Sequence, residues 1–440
     1  MTVHLTLREV AGSTRPSIDR RGLLFEWEGR ILRAFRDEPA ELIAQLLAAP
    51  WLPELFELGL IPFRQVDVEL EGYSLLVEVD RVPFVTYASE WPVAMLRDAG
   101  IMIARLGERL AQHGLGLQDA HPWNVLFRGS RPVFVDLGSI VESPEVTGAW
   151  VEEFRRNFAL PLALHRAGLH GLADSVQGIE RGWFPTQLGR RRFRLFPLGF
   201  RVRARHRTEP VRFYRELAAY LASGPAHGAE TVWSDYDRTL EKQGALELIL
   251  AGLPPGRLLD VGANAGWFSR LAARAGHDVL AIDNDDHALE QLYHEAGAEG
   301  LSIVPVRMDF LWPTGSSGFG LECRPATERF NADTVAALAV LHHLVGHQRV
   351  TFEAFARMLN LFTGQHAIVE FIPSDDTHVR GWHVMREPWY TKAGFIDAMS
   401  PFFELTRELP SYPAPRSILV FERLRPDPAS STTAGVAGAA

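Results

Sequence analysis

Arg257-Leu258-Leu259-Asp260-Val261-Gly262-Ala263-Asn264-Ala265-Gly266 is the stretch on which the fold turns. An apolar run ends in a carboxylate, breaks into a turn with two glycines, and opens into the helix-patterned WFSRLAARAG. Glycines at a strand-to-helix turn let backbone approach a ligand beyond the carboxyl end of a strand, where doubly wound α/β sheets bind nucleotides.

Outward from this stretch, strand and helix patterns alternate. DVLAID, SIVPVRMDF, TVAALAVL and HAIVEFI read as strands. DHALEQLYHEAG, VTFEAFARMLNLF and YTKAGFIDAMSPF read as helices between them, and FELTREL and SILVFERL close the chain as two further strands. Such alternation implies parallel strands joined by right-handed crossovers, with an antiparallel hairpin at the end. The fold class expected is α/β.

Asp283 ends the second strand, with Asn284 beside it, and Asp309 ends the third, followed by Phe310. A carboxylate at Asp283 can accept both hydroxyls of a ribose. The first turn is not GxGxxG. It resembles the DxGxxxG motif of class I S-adenosylmethionine (SAM)-dependent methyltransferases, whose sheet has seven strands. SAM carries an ammonium and a sulfonium and no pyrophosphate, so a carboxylate at Asp260 suits it and would repel a dinucleotide. The candidate cofactor residues are therefore Asp260, Gly262, Asn264, Gly266, Asp283, Asn284, Asp309 and Phe310. The resemblance puts Asp309 at the adenine amino group and Phe310 along the adenine face.

The fourth strand runs into Leu341-His342-His343-Leu344. An imidazole there can take the proton of an attacking hydroxyl or amine, with His342 as first candidate and His343 as second. The competing reading is an orienting or core histidine, because methyl transfer depends chiefly on positioning. Glu370, ending IVEFIP, can hold a substrate or be purely structural. With His342, His343 and His347 it could also form a metal site, but the reading adopted has no metal.

The first half carries a second pattern. Asp119-Ala120-His121-Pro122-Trp123-Asn124, then Val133-Phe134-Val135-Asp136-Leu137-Gly138, is D-x4-N followed by D-x-G. It resembles the catalytic and metal-binding loops of protein-kinase-like and aminoglycoside-phosphotransferase-like folds. The resemblance implies that Asp119 accepts a hydroxyl proton while Asn124 and Asp136 hold Mg²⁺ with ATP. Upstream strands and a helix bearing Glu41 suit a small α+β lobe. Two departures stand against activity: no glycine-rich loop precedes GLLFEW, and RILRAF carries Arg33 where a kinase has lysine. Arginine's planar fork does not replace an ammonium. Acceptor binding or presentation is the preferred use of this half.

With 45 Lys+Arg against 54 Asp+Glu the net charge is −9, which gives no drive toward nucleic acid. The basic stretch at 190–207 (RRRFRLFPLGFRVRARHR) reads as a solvated face, or as a dock for an anionic acceptor. One cysteine, Cys323, excludes a disulfide framework, and no signal peptide or membrane span is evident, so a cytoplasmic protein is expected. The domains expected are 1–225, kinase-like; 226–425, methyltransferase; and 426–440, a disordered tail.

Both halves together resemble methyltransferases related to the nodulation host-specificity methyltransferases. The likeness rests on Glu90-Trp91-Pro92, Asp119-Ala120, Asn124, Pro132 to Asp136, Trp233-Ser234-Asp235-Tyr236, Asp260 to Asn264, Leu338 to Leu344, Glu370 to Pro373, Arg386 and Tyr390-Thr391. Gln118 and Gly138-Ser139-Ile140 depart from that family's pattern. The resemblance implies methyl transfer from SAM to an oxygen, with nitrogen second, of a saccharide, glycoconjugate or secondary metabolite. The loops 311–330 and 374–392 would form the acceptor side. The rivals are a bifunctional kinase/methyltransferase and a SAM-binding scaffold without turnover. Oligomeric state is not legible.

Overall fold

The computed structural model describes residues 3–15, 22–142, 149–177, 205–223, 242–318, 321 and 323–424. The expected boundary near 225, the WSDY motif, the tail from 425 and most of the arginine-rich stretch lie outside them.

Seven strands of the second half form one sheet. Their spatial order is Ile303–Arg307, Asp278–Asp283, Arg257–Val261, Ala332–Ala337, Thr363–Phe371, Ser417–Arg423, Phe403–Pro410. The first five run parallel, and Ser417–Arg423 runs antiparallel to both its neighbours, which gives the expected closing hairpin. Arg257–Val261 is central and buried on both faces, as parallel strands covered by helices must be. The chain winds outward from it to Ile303–Arg307, then returns to its other side at Ala332–Ala337. That reversal opens a crevice beyond the carboxyl ends of Arg257–Val261 and Ala332–Ala337.

The first half holds a five-stranded antiparallel sheet in the order Thr14–Arg15, Gly22–Trp27, Arg30–Phe35, Leu75–Val79, Phe63–Gln65. Helices Asp37–Ala48 and Leu52–Leu58 follow its third strand. The long helix Val93–Ala111 packs closely against Pro210–Ala222. Gly107, a weak residue for a helix on propensity, is required here: a Cβ at that position would overlap the ring of Tyr214.

Two elements differ from the sequence-based expectation. VHLTLREV, whose apolar alternation reads as a strand, is one only over Val3–Leu5. It then becomes a short helix, because Thr6 and Glu9 form a reciprocal capping box. TVAALAVL leaves the sheet after Ala337, and Leu341–Gln348 is helical. A further helix, Leu52–Leu58, has Pro53 in its first turn and Gly59 in the left-handed conformation at its end.

The halves are joined by buried and half-buried polar contacts. Arg329 pairs with Glu90, both side chains 2 % exposed, and lies over the Tyr87 ring. Tyr293 donates to Asp98 at 3.1 Å, the Ala94 amide donates to Glu290 at 3.2 Å, and Arg307 bridges Asp286 and Asp174. The largest apolar cluster runs through both halves, from Phe35 and Val77 to Leu259 and Val335. No helix among the described residues is long and apolar enough to cross a membrane.

Candidate functional site

The turn after Val261 is built by backbone that only certain residues tolerate. Gly262 (φ +68°) and Gly266 (φ +72°) are left-handed, and so is Asn264 (φ +49°), a residue type that accepts this region better than most. Added Cβ atoms at the two glycines would overlap Val340 and Leu292. Both the Gly262 and Ala263 amides donate to the Ile282 carbonyl, which fastens this turn to the end of the next strand.

Asp283 sits where the two turns meet. Its Oδ2 accepts from the Asn264 amide at 2.8 Å, and its Oδ1 accepts from the Asn284 and Asp285 amides at 2.7 and 3.0 Å. Burial pushes its carboxyl above the ordinary range, and the three amides oppose that shift. All three partners are backbone groups of the turns, so the carboxylate is oriented by them and retains further acceptor capacity. Asn284 itself is exposed.

Asp260 is 2 % exposed and accepts from Ser269 Oγ at 2.6 Å. Burial pushes its carboxyl up to about 7, with the Asp283 charge adding to the rise; Ser269 and Lys242 oppose it. Asp309 lies at the end of the third strand, its Oδ1 accepting from the Leu311 amide at 2.8 Å. Phe310 is 5 % exposed and packs on Phe355 and Phe362, so its ring serves chiefly as core. The structure thus brings Asp260, Gly262, Asn264, Gly266, Asp283 and Asp309 to adjacent strand ends.

His342 and His343 stand in the first turn of helix Leu341–Gln348, one strand over. His342 is 6 % exposed, and its Nδ1 has no hydrogen-bond partner among the described residues. Burial, then the neighbouring His343 and Arg416, lower it to about 2; burial and His347 lower His343 to about 4. Both rings are neutral at physiological pH and poor proton acceptors. Trp382, from the 374–392 segment, lies over His347 at 4.4 Å and His342 at 5.7 Å. Asp376 holds that segment by a buried pair with Arg416 at 2.8 Å.

Of the readings open for Glu370, its surroundings favour the structural one over substrate holding. It is fully buried, with Oε2 on Lys242 at 3.1 Å and Oε1 accepting from Ser411 at 2.6 Å. No group of three or more His, Cys, Asp or Glu among the described residues is placed to hold a metal ion. Sequence reading missed Ser269 and Lys242. Ser269 is signalled by its place in the helix directly after the turn, but Lys242, 128 residues from Glu370, has no local signal.

In the first half, Asp119 and Asn124 do meet: Asn124 Nδ2 donates to Asp119 Oδ1 at 2.6 Å. Burial, then Glu153 and Asp136, raise the Asp119 carboxyl to about 6. Arg33 pairs with Asp136, while Glu41 is exposed on its helix.

No protein-family model matches the chain. It is 28 % identical to nodulation protein NoeA of Rhizobium meliloti (strain 1021), over 94 % of this chain and 96 % of that one. Solved structures with partial likeness include the N-methyltransferase NodS from Bradyrhizobium japonicum WM9 (13 % identity, 42 % of this chain, 96 % of that one, TM-score 0.32). They also include the bifunctional kinase-methyltransferase WbdD (18 %, 47 % and 45 %, TM-score 0.31). A third is magnesium protoporphyrin IX methyltransferase from Synechocystis PCC 6803 with bound SAH (17 %, 44 % and 91 %, TM-score 0.32).

Proposed function

We propose that the chain is a SAM-dependent methyltransferase that methylates an oxygen, or secondarily a nitrogen, of a saccharide, glycoconjugate or secondary-metabolite acceptor. The observation that carries this reading is the convergence of Asp260, Asp283 and Asp309 at three successive strand ends, around a turn whose glycines leave no room for side chains. The donor set fits SAM. Asp283 would accept the ribose hydroxyls, Asp309 the adenine amino group, and buried Asp260 would face the ammonium end. A dinucleotide's diphosphate would meet the same carboxylates as repulsion.

When bound, SAM supplies an electrophilic methyl group. The chain's own part is to orient the acceptor and exclude water. His342 and His343, neutral and set beside Trp382, are suited to accept a hydrogen bond from an acceptor hydroxyl and to line its path. Their low proton affinity argues for positioning over strong general-base catalysis. In that role His342→Asn lowers the rate without altering its pH profile between about 5 and 8.

The test is transfer of labelled methyl from SAM to a panel of oligosaccharides, glycolipids and phenolic metabolites, with Asp283→Ala as control. Label in one acceptor class, lost in the control, is the expected result. Transfer that persists in the control would overturn this assignment of the site. Absence of transfer from a preparation that binds S-adenosylhomocysteine would favour a scaffold.

A further inference from the structure

The resemblance in the first half implies Mg²⁺ with ATP, held by Asn124 and Asp136. The side chains present do not fit that ion. Arg33 projects from the middle strand of the five-stranded sheet, between Leu24 and Val77. Its Nη2 lies on Asp136 Oδ1, and its Nη1 donates to the Val135 carbonyl at 3.2 Å. The same Oδ1 accepts from the Gly138 amide at 3.1 Å, so Asp136 already caps the turn Leu137–Ser139. The pair is largely buried, with side chains 15 % and 21 % exposed. Asn124 Nδ2 donates to Asp119 Oδ1 within the same loop.

We infer that Arg33 is the resident cation of this cluster, filling the electrostatic place of a divalent metal so that the first half holds its D-x4-N and D-x-G loops together without one. Two physical points support this. A Mg²⁺ ligated by Asp136 would sit at about 2.1 Å from its oxygen, against a guanidinium already there, and like charges at that range repel strongly in a part-buried setting. A guanidinium cannot lose its proton to make way. The pair spans 103 residues of chain, tying the sheet to the loops at 117–142. It is a built-in joint with no place for metal-dependent phosphoryl transfer. This inference is independent of the cofactor reading of the second half.

The test uses the full chain, with Mn²⁺ titrated by electron paramagnetic resonance and Mg-ATP followed by thermal melting. The wild type is expected to bind Mn²⁺ no more tightly than Asp136→Asn, and Mg-ATP is expected to shift its melting no more than ATP with chelator. Arg33→Met, which keeps the length but removes the charge, should gain Mn²⁺ affinity roughly tenfold, about 1.4 kcal/mol. That gain should vanish in Arg33→Met/Asp136→Asn. Wild-type binding of Mn²⁺ or Mg-ATP that Asp136→Asn abolishes would overturn the inference. So would a folded Arg33→Met that gains nothing. If Arg33→Met does not fold, the wild-type comparison with Asp136→Asn decides alone.

Discussion

Cofactor binding should carry the titration of Asp260. The carboxyl is buried and pushed up to about 7, and the ligand proposed for its neighbourhood brings an ammonium. A cation prefers the ionised carboxylate, so binding must expel a proton wherever the free protein holds one. With a midpoint near 7, the ionised fraction is roughly one-tenth at pH 6 and nine-tenths at pH 8. Affinity for S-adenosylhomocysteine should therefore rise about tenfold over that interval, about 1.4 kcal/mol, with proton release near neutrality. The sign follows from the direction of the shift. A carboxyl raised in the free fold favours the neutral form below its midpoint, which opposes a cationic partner there. Calorimetry in buffers of different ionisation enthalpy reads both affinity and protons released. Asp260→Asn should bind more weakly and with a flat profile. A wild-type profile that is flat or falls from pH 6 to 8, or an unchanged slope in Asp260→Asn, would refute the assignment of Asp260 to the ligand's cationic end.

Two further outcomes follow from packing. Gly266→Ala places a Cβ against Leu292 at a left-handed position and should cost roughly 1–3 kcal/mol of stability, read by urea unfolding, with cofactor binding weakened in parallel. Glu90→Gln leaves the buried guanidinium of Arg329 uncompensated between the halves and should cost about 3–5 kcal/mol, whereas exposed Arg212→Gln should change stability by less than about 1 kcal/mol.

The cofactor turn was legible in the sequence because its constraints are local. Positive φ demands glycine at 262 and 266, and a strand-end carboxylate is visible wherever strand and helix patterns alternate. The parallel strands and the closing hairpin followed from that alternation, while their spatial order came from the structure. What stayed hidden depends on residues far apart in the chain. Burial of His342 beneath Trp382 and beside Arg416 turns a candidate base into a neutral wall, and nothing near residue 342 announces it. Glu370 ended a strand as a substrate-binding carboxylate would, but Lys242 and Ser411 claim both its oxygens. The pairing of Arg33 with Asp136 likewise joins segments 103 residues apart. The early helix was the reverse case. Thr6 and Glu9 spell a capping box in the sequence itself, and alternation of apolar residues masked it.

Calorimetric titration of the whole chain with S-adenosylhomocysteine, beside Asp283→Ala, bears on the cofactor site itself. The account predicts micromolar binding to the wild type, weakened about tenfold or more in the variant by loss of the charge-assisted ribose contact. No binding to a well-folded wild type, or equal binding by the variant, would contradict it.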